Sequence, residues 1–432
     1  MPAHFASVQK KTSIPIPNII DWNDDASNTI GSEYIIMEHE DGTPLYQKWP
    51  DMAGDQRTRC IGALYEKLAE MEKLEFPAYG NIYFSNNTAA DSMTQLPDSN
   101  FSIGPNCATR YWDYNEPRYY ERAGPNRGPC TSKPFFTLRH GVNSSHHTGS
   151  TFHAYCDGLV DAGFSRVPLE DDLKKRPIYH GTIEEHIELL KHARPVVREM
   201  ASDPRVQKAA TPTLFHPSLR TEEIFFSNDD PSVITGIIDW QHAAIEPAFW
   251  YSNDIPNFAK IATEPDENKS EHNKEVVCAE AFEACTKYYL PKIGFARSME
   301  VNTFRPFRYC HRTWANASGF RHELIELSKD WKVHLGLTGT CPYKTPTAEE
   351  QAKHKETYEF FKEARKVLDY IEKTFMIGPD GWVPPEHYEI VMGLQKDCFN
   401  ELVRTVIETP DEGPDEPLTN EEDVRAIWPW DV

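Results

Sequence analysis

The stretch Leu214 to Trp240, LFHPSLRTEEIFFSNDDPSVITGIIDW, constrains the chain more than any other. Glu222 to Phe226 is short and ends in apolar residues, and the turn-forming cluster Ser227-Asn228-Asp229-Asp230-Pro231-Ser232 follows it. Val233 to Ile238 is then a β-branched run broken by a single glycine, so the pair reads as a β-hairpin. Asp239 stands directly after the second strand, where the chain leaves the core. A carboxylate there is either a cap for the next segment of chain or a metal ligand at the mouth of a cleft.

Helical patterns lie on both sides of this hairpin, with a small β-rich start before them. Residues 1–13 carry no pattern of a regular element. Ile14-Pro15-Ile16-Pro17-Asn18-Ile19-Ile20 is extended, because each proline disfavours the helical region for itself and its predecessor. Tyr34 to Glu38 reads as a buried strand that stops at His39-Glu40-Asp41-Gly42. Between Met52 and Leu74 the residues Ile61, Leu64, Tyr65, Leu68 and Met71 follow helical spacing. Residues 76 to 150 read as loop-rich, with many prolines, and their histidines His140, His146 and His147, with the nearby His153, read as part of a solvated loop rather than as metal ligands.

Thr182 and Glu185 form a capping box opening a helix toward Met200, in which Pro195 predicts a kink or a break. Further helices are expected over 276–290 and 320–335, from a second capping box at Thr347 and Glu350 to about Phe375, and over 386–407. Glu408 to Asp423 holds eight acidic residues and three prolines and reads as disordered, with Trp428-Pro429-Trp430 as an apolar anchor able to dock back. Elements segregated in this way indicate an α+β fold. GxGxxG, GxxxxGK[ST] and GxSxG are absent, which argues against Rossmann, Walker and nucleophile-elbow chemistry.

At 432 residues there is chain for two or three domains, or for two lobes with insertions. With 45 basic and 67 acidic residues the net charge is −22, which repels nucleic acid and anionic membrane. It also opposes a polyanion such as ATP unless a local basic group compensates. No apolar run approaches the ~18 residues needed to cross a bilayer. The nine cysteines are scattered without a CxxC pair, which fits free thiols in a reducing, intracellular, cytoplasmic setting.

His216-Pro217-Ser218-Leu219-Arg220-Thr221-Glu222-Glu223-Ile224-Phe225, followed by Gly236-Ile237-Ile238-Asp239-Trp240, resembles the catalytic core of the aminoglycoside phosphotransferase and choline-kinase-like family. That family carries His-x-Asp-x-x-x-x-Asn, a short hairpin, and then Ile-Asp. The segments Ile14–Pro17, Gly31–Glu38, Arg308–Trp314 and Asp380–Pro384 are similar to its large fungal branch, which includes the altered inheritance of mitochondria proteins. The resemblance runs from about residue 12 to the C-terminus. It implies a protein-kinase-like α+β fold with a truncated small β lobe followed by a large, mostly helical lobe carrying the catalytic-loop hairpin. Residues 1–48 would be a remnant of the small lobe and hinge, 49–407 the large lobe with inserted loops, and 408–432 an acidic tail.

The resemblance also implies roles. His216 braces the catalytic loop, Ser218 takes the position of the catalytic Asp, Glu223 that of the metal-binding Asn, and Asp239 that of the Mg²⁺ ligand. The backbone at Met37 and Glu38 would meet adenine. ATP and Mg²⁺ are the implied cofactors, a small hydroxylated molecule the implied substrate, and a mitochondrial address is implied by the branch alone. The departures oppose activity. A neutral Ser hydroxyl is a poor base, and general-base assistance is worth roughly 10²–10⁴-fold. Glu223 is one methylene longer than Asn and adds a charge. The family's phosphate-covering loop and phosphate-pairing Lys would precede Ile14, where 13 residues show no such pattern. The expectation is a catalytically degenerate kinase-like protein, acting if at all through binding to an unknown protein partner; the alternative is a working ATP-dependent phosphotransferase for a hydroxyl of a small molecule.

Overall fold

The computed structural model describes residues 2–85, 93–97, 100–104, 106, 151–167, 179–217, 219–230, 232–241, 243–261, 269–312, 316–332, 335–374, 383, 387–408 and 418–428. In chain order the elements are α1 (Pro2–Lys11), β1 (Ile19–Asn23), β2 (Tyr34–Met37), β3 (Thr43–Pro44), α2 (Leu45–Lys48), α3 (Gly54–Glu72), β4 (Asn81–Phe84), β5 (Thr94–Gln95) and β6 (Phe101–Gly104). Then come α4 (Phe152–Arg166), α5 (Ile183–Ala201), α6 (Pro204–Ala209), β7 (Pro212–Phe215), β8 (Ile224–Phe226), β9 (Ile234–Ile237) and β10 (Ala244–Pro247). The remainder is helical: α7 (Lys269–Tyr289), α8 (Pro291–Arg297), α9 (Arg305–Cys310), α10 (Ala317–Asp330), α11 (Ala348–Thr374), α12 (Tyr388–Glu408) and α13 (Glu421–Ile427). The chain forms two compact units, Met1–Ala162 with Arg198–Phe304, and Gly163–Val197 with Arg305–Val432.

In the first unit the hairpin forms as its sequence predicts. Ile224 pairs with Ile237 and Phe225 with Gly236, antiparallel, with an irregularity before Phe226. The other edge of β8 takes β3, so the sheet order is β3-β8-β9. Gly42 at φ 115° lets β3 enter, because a Cβ there would lie 2.6 Å from both the Phe226 carbonyl and the Thr235 hydroxyl. The extended Ile-Pro segment follows the far edge of β9, where the Ile237 N–H donates to the Pro15 carbonyl at 2.9 Å. Phe226, Ile237 and Trp240 sink into one core with Ile61, Leu64, Tyr65 and Leu68 of α3. Tyr65 meets Phe282 of α7 edge-on at 6.0 Å, the aromatic geometry expected of a helix pair with a shared apolar face.

Two parts of this unit differ from the sequence reading. Residues 2–11 form a helix whose Phe5 and Val8 are buried in the same core, and the ring of His4 accepts from the Ile82 amide at 3.1 Å. Within the loop-rich stretch, where the sequence marks no strand, β4, β6 and β5 form a three-stranded antiparallel sheet. These strands have four, four and two residues, too few for an alternation to stand out from the surrounding turn formers. His140, His146 and His147 lie outside the described residues; His153 sits on α4 beside Ser202 at 3.1 Å.

The second unit is helical. Both capping boxes form: the Thr182 N–H donates to Glu185 Oε2 at 2.9 Å, and the Thr347 N–H to Glu350 Oε2 at 2.8 Å. Pro195 neither breaks nor ends α5. Its missing hydrogen bond is tolerated because Leu190, Ala193, Val196 and Val197 around it are fully buried. Ile371, Phe399, Val424 and Trp428 share a small core. Against the expectation of disorder, residues 418–428 of the tail are therefore part of this unit, and α13 starts at an Asn420 cap whose side chain accepts from the Asp423 amide at 3.0 Å. Trp428 docks as its composition suggested; Pro429 and Trp430, like 409–417, lie outside the described residues.

Candidate functional site

The segment from β7 to β10 is held at each end by the sheet and in the middle by side chains. β7 delivers His216 and β10 returns beside β7, pairing Ala244 with Phe215. His216 is buried, and its Nε2 lies 2.7 Å from the Ile238 carbonyl. Its ring meets Trp240 edge-on at 4.7 Å, and the Trp240 indole N–H donates to the Ile237 carbonyl at 2.8 Å. The Ile238 N–H in turn donates to the Glu223 carbonyl at 2.9 Å. These bonds tie the end of β9 to the loop that begins at His216.

Asp239 comes next at φ 62°, the one non-glycine residue at positive φ among those described. An L-residue pays roughly 1–2 kcal/mol there, least for Asn and Asp, whose short polar chains bond locally. Asp239 is half-buried at the strand end. Glu223 lies within electrostatic reach. Burial, followed by the Asp239 charge, raises its carboxyl above the ordinary glutamate range, and Arg220 offsets only part of this. The Arg220 guanidinium approaches Glu223 at 3.5 Å and is itself 55% exposed, so this pair contributes little.

Two mutually repelling, partly buried carboxylates suit a hard divalent cation. The donor chemistry fits Mg²⁺, which is held by one or two carboxylates with phosphate oxygens and waters completing the shell. Among the described residues no group of three or more His, Cys, Asp or Glu is placed to hold a metal by itself. Ser218 lies outside the described residues. Met37 ends β2 and Glu38 follows it; the Glu38 N–H already donates to the Asn18 carbonyl at 2.9 Å, while the Asn18 amide donates to the Glu38 carboxylate at 2.7 Å.

Two residues around this segment carry no signal of a role in the sequence. Asn257 pins the loop, its Oδ1 accepting from the Thr221 N–H at 3.0 Å and its Nδ2 donating to the Thr221 hydroxyl at 2.9 Å. Glu40 crosses β9 so closely that a Cβ on Gly236 would collide with its carboxyl group. The glycine inside an otherwise β-branched strand is the one available hint of that approach.

No family model matches the chain. A subtelomeric hrmA-associated cluster protein of Aspergillus fumigatus is 22% identical over 93% of this chain and 86% of its own length. Altered inheritance of mitochondria protein 9 of Yarrowia lipolytica is 18% identical over 88% of this chain. The resemblance to this fungal branch holds. It is distant, and the match spans 66% of the Yarrowia protein and 39% of its Kluyveromyces lactis namesake, which is 22% identical over 55% of this chain. Among solved structures, a Ralstonia eutropha protein described as an aminoglycoside phosphotransferase aligns over 74% of this chain and 82% of its own, at 13% identity and a TM-score of 0.29, too loose a likeness to argue from. No helix among the described residues is long and apolar enough to cross a membrane.

Proposed function

We propose that the chain is a kinase-like protein of the aminoglycoside phosphotransferase type that keeps a metal-facing carboxylate at Asp239 but is catalytically degenerate. The observation that carries this reading is the construction after β9: His216 against the Ile238 carbonyl, then Asp239 in a left-handed backbone within electrostatic reach of Glu223. In this reading Asp239 and Glu223 hold Mg²⁺, which supplies charge neutralisation for phosphate oxygens. His216 fixes the strand end that carries Asp239. Ser218 can orient a hydroxyl but does not take its proton at neutral pH, which removes roughly 10²–10⁴-fold of rate. In this reading the Glu38 N–H, committed to Asn18, gives adenine one donor fewer at the hinge. The seven described free cysteines accord with a reducing, intracellular compartment.

Calorimetric titration with Mg²⁺-ATP tests the reading. Absent or millimolar binding is the expected result. Micromolar binding together with ATP turnover that disappears in Asp239→Ala overturns degeneracy and establishes a working phosphotransferase acting on a small hydroxylated molecule.

A further inference from the structure

A cleft of about 640 Å³ lies wholly within the second unit, between α5, α10, the loop 342–347 and the start of α11. That volume is in the range of small-molecule sites. Leu189, Ile325 and Tyr343 give it a buried apolar floor. His354 belongs to the same lining, is only 7% exposed, and among the described residues has no hydrogen-bond partner at either ring nitrogen. Burial, reinforced by the positive charges of Arg321, His322 and Lys329, pushes the ring down to about 4, so it is neutral at physiological pH. A neutral imidazole carries one N–H to donate and one bare nitrogen to accept. Leaving both unmet in a buried position is unfavourable, and a polar occupant of the cleft relieves it.

The charged groups at the mouth are unequally committed. Glu185 accepts from the Thr182 N–H and from Arg321 Nη2, both at 2.9 Å. Glu350 accepts from the Thr347 N–H at 2.8 Å and its hydroxyl at 2.9 Å. Helix capping and the Arg321 pair thus occupy two of the three carboxylates. Lys344 and Lys353 are exposed and feel Glu350 and Glu185 through space, yet neither makes a hydrogen bond among the described residues. Glu188, exposed on α5, is the remaining carboxylate. Two ammonium groups and a ring N–H against one uncommitted carboxylate leave donors in excess.

We propose that this cleft binds a small organic anion with an apolar body, its charged oxygens meeting Lys344 and Lys353, its body lying on Leu189, Ile325 and Tyr343, and its polar edge hydrogen-bonded to His354. The proposal is independent of any nucleotide or metal at Asp239, since every lining residue belongs to the second unit and His216, Glu223 and Asp239 to the first.

The test is calorimetry on the full chain with phenyl phosphate, with benzyl alcohol as the uncharged comparison. Phenyl phosphate is expected to bind one to one with a Kd on the order of 0.1–1 mM, and the alcohol at least about tenfold more weakly. Lys344→Gln with Lys353→Gln should weaken phenyl phosphate about tenfold, whereas Lys362→Gln with Lys366→Gln, exposed on α11 outside the cleft, should leave it unchanged. In ¹⁵N-histidine-labelled protein, one ring should shift with the same Kd. No saturable heat, equal binding of the alcohol, or equal losses in the two lysine pairs overturns the proposal. Binding with every histidine ring silent overturns the place given to His354.

Discussion

Replacing Glu72 by glutamine is expected to stabilise the first unit above neutral pH and to leave it unchanged near pH 4. Glu72 ends α3 and is 4% exposed; its Oε1 accepts the Lys292 N–H at 2.5 Å, the Ile293 N–H also favours its ionised form, and among the described residues its Oε2 has no hydrogen-bond partner. The Lys292 ammonium donates instead to the carbonyls of Glu72 and Leu74, at 2.5 and 2.9 Å. Burial therefore prevails over the nearby donors and pushes the carboxyl from 4.5 up to about 7. The direction comes from linkage: between these two values the unfolded chain releases a proton that the folded one retains, so stability falls as pH rises. A shift of that size corresponds to about 3 kcal/mol, reached above pH 7 and absent below about 4.5. Glutamine reproduces the neutral acid and has nothing to titrate. Hydrogen exchange of peptides covering 64–72 and 291–297 reads the effect, comparing variant and parent at matched pH. The opening constant of the variant should be smaller by about a hundredfold at pH 8 and equal at pH 4. Parallel profiles across that range, or a variant that opens more readily at pH 8, would refute the burial argument.

Gly163→Ala should destabilise the second unit by about 1–3 kcal/mol, although Ala normally favours a helix, because the added Cβ collides with the Cys310 carbonyl; a denaturant midpoint decides. Trp428→Ala should cost about 3–5 kcal/mol, from the lost edge contact to Phe399 at 5.3 Å and the indole bond to Gln395, and should make α13 sensitive to limited proteolysis. At Asp239, asparagine should be nearly neutral for stability and alanine should cost about 1 kcal/mol, since only the first tolerates the left-handed backbone; the urea midpoints of the two variants check this.

Legibility in the sequence tracked the strength of local signals. The hairpin was readable because two apolar runs flank a dense turn cluster, and both capping boxes because their hydrogen bonds are written in residues three apart. α3 repeats its apolar positions over about three turns, from Ile61 to Met71, so its face was plain. By contrast α1 has ten residues and two large buried apolar side chains, and β4 to β6 are shorter than a detectable alternation. At α13 the cap Asn420 and Asp423 were present in sequence, but the surrounding acids and prolines dominated the reading, and burial of Val424, Ile427 and Trp428 depends on residues far earlier in the chain. At the candidate site, residue types marked His216, Glu223 and Asp239, while the Asn257 clasp on Thr221 joins positions 36 apart that no local pattern connects.

The backbone at Asp239 bears on how such proteins diverge. A left-handed position admits few residue types, chiefly glycine, asparagine and aspartate, whatever happens chemically around it. A chain that loses phosphoryl transfer is thus still held to a narrow alphabet at this point by the turn itself, whereas a chemical position without such a backbone demand is free to drift. On the reading proposed above, the turn alone would keep an aspartate here even in a chain that transfers no phosphoryl group.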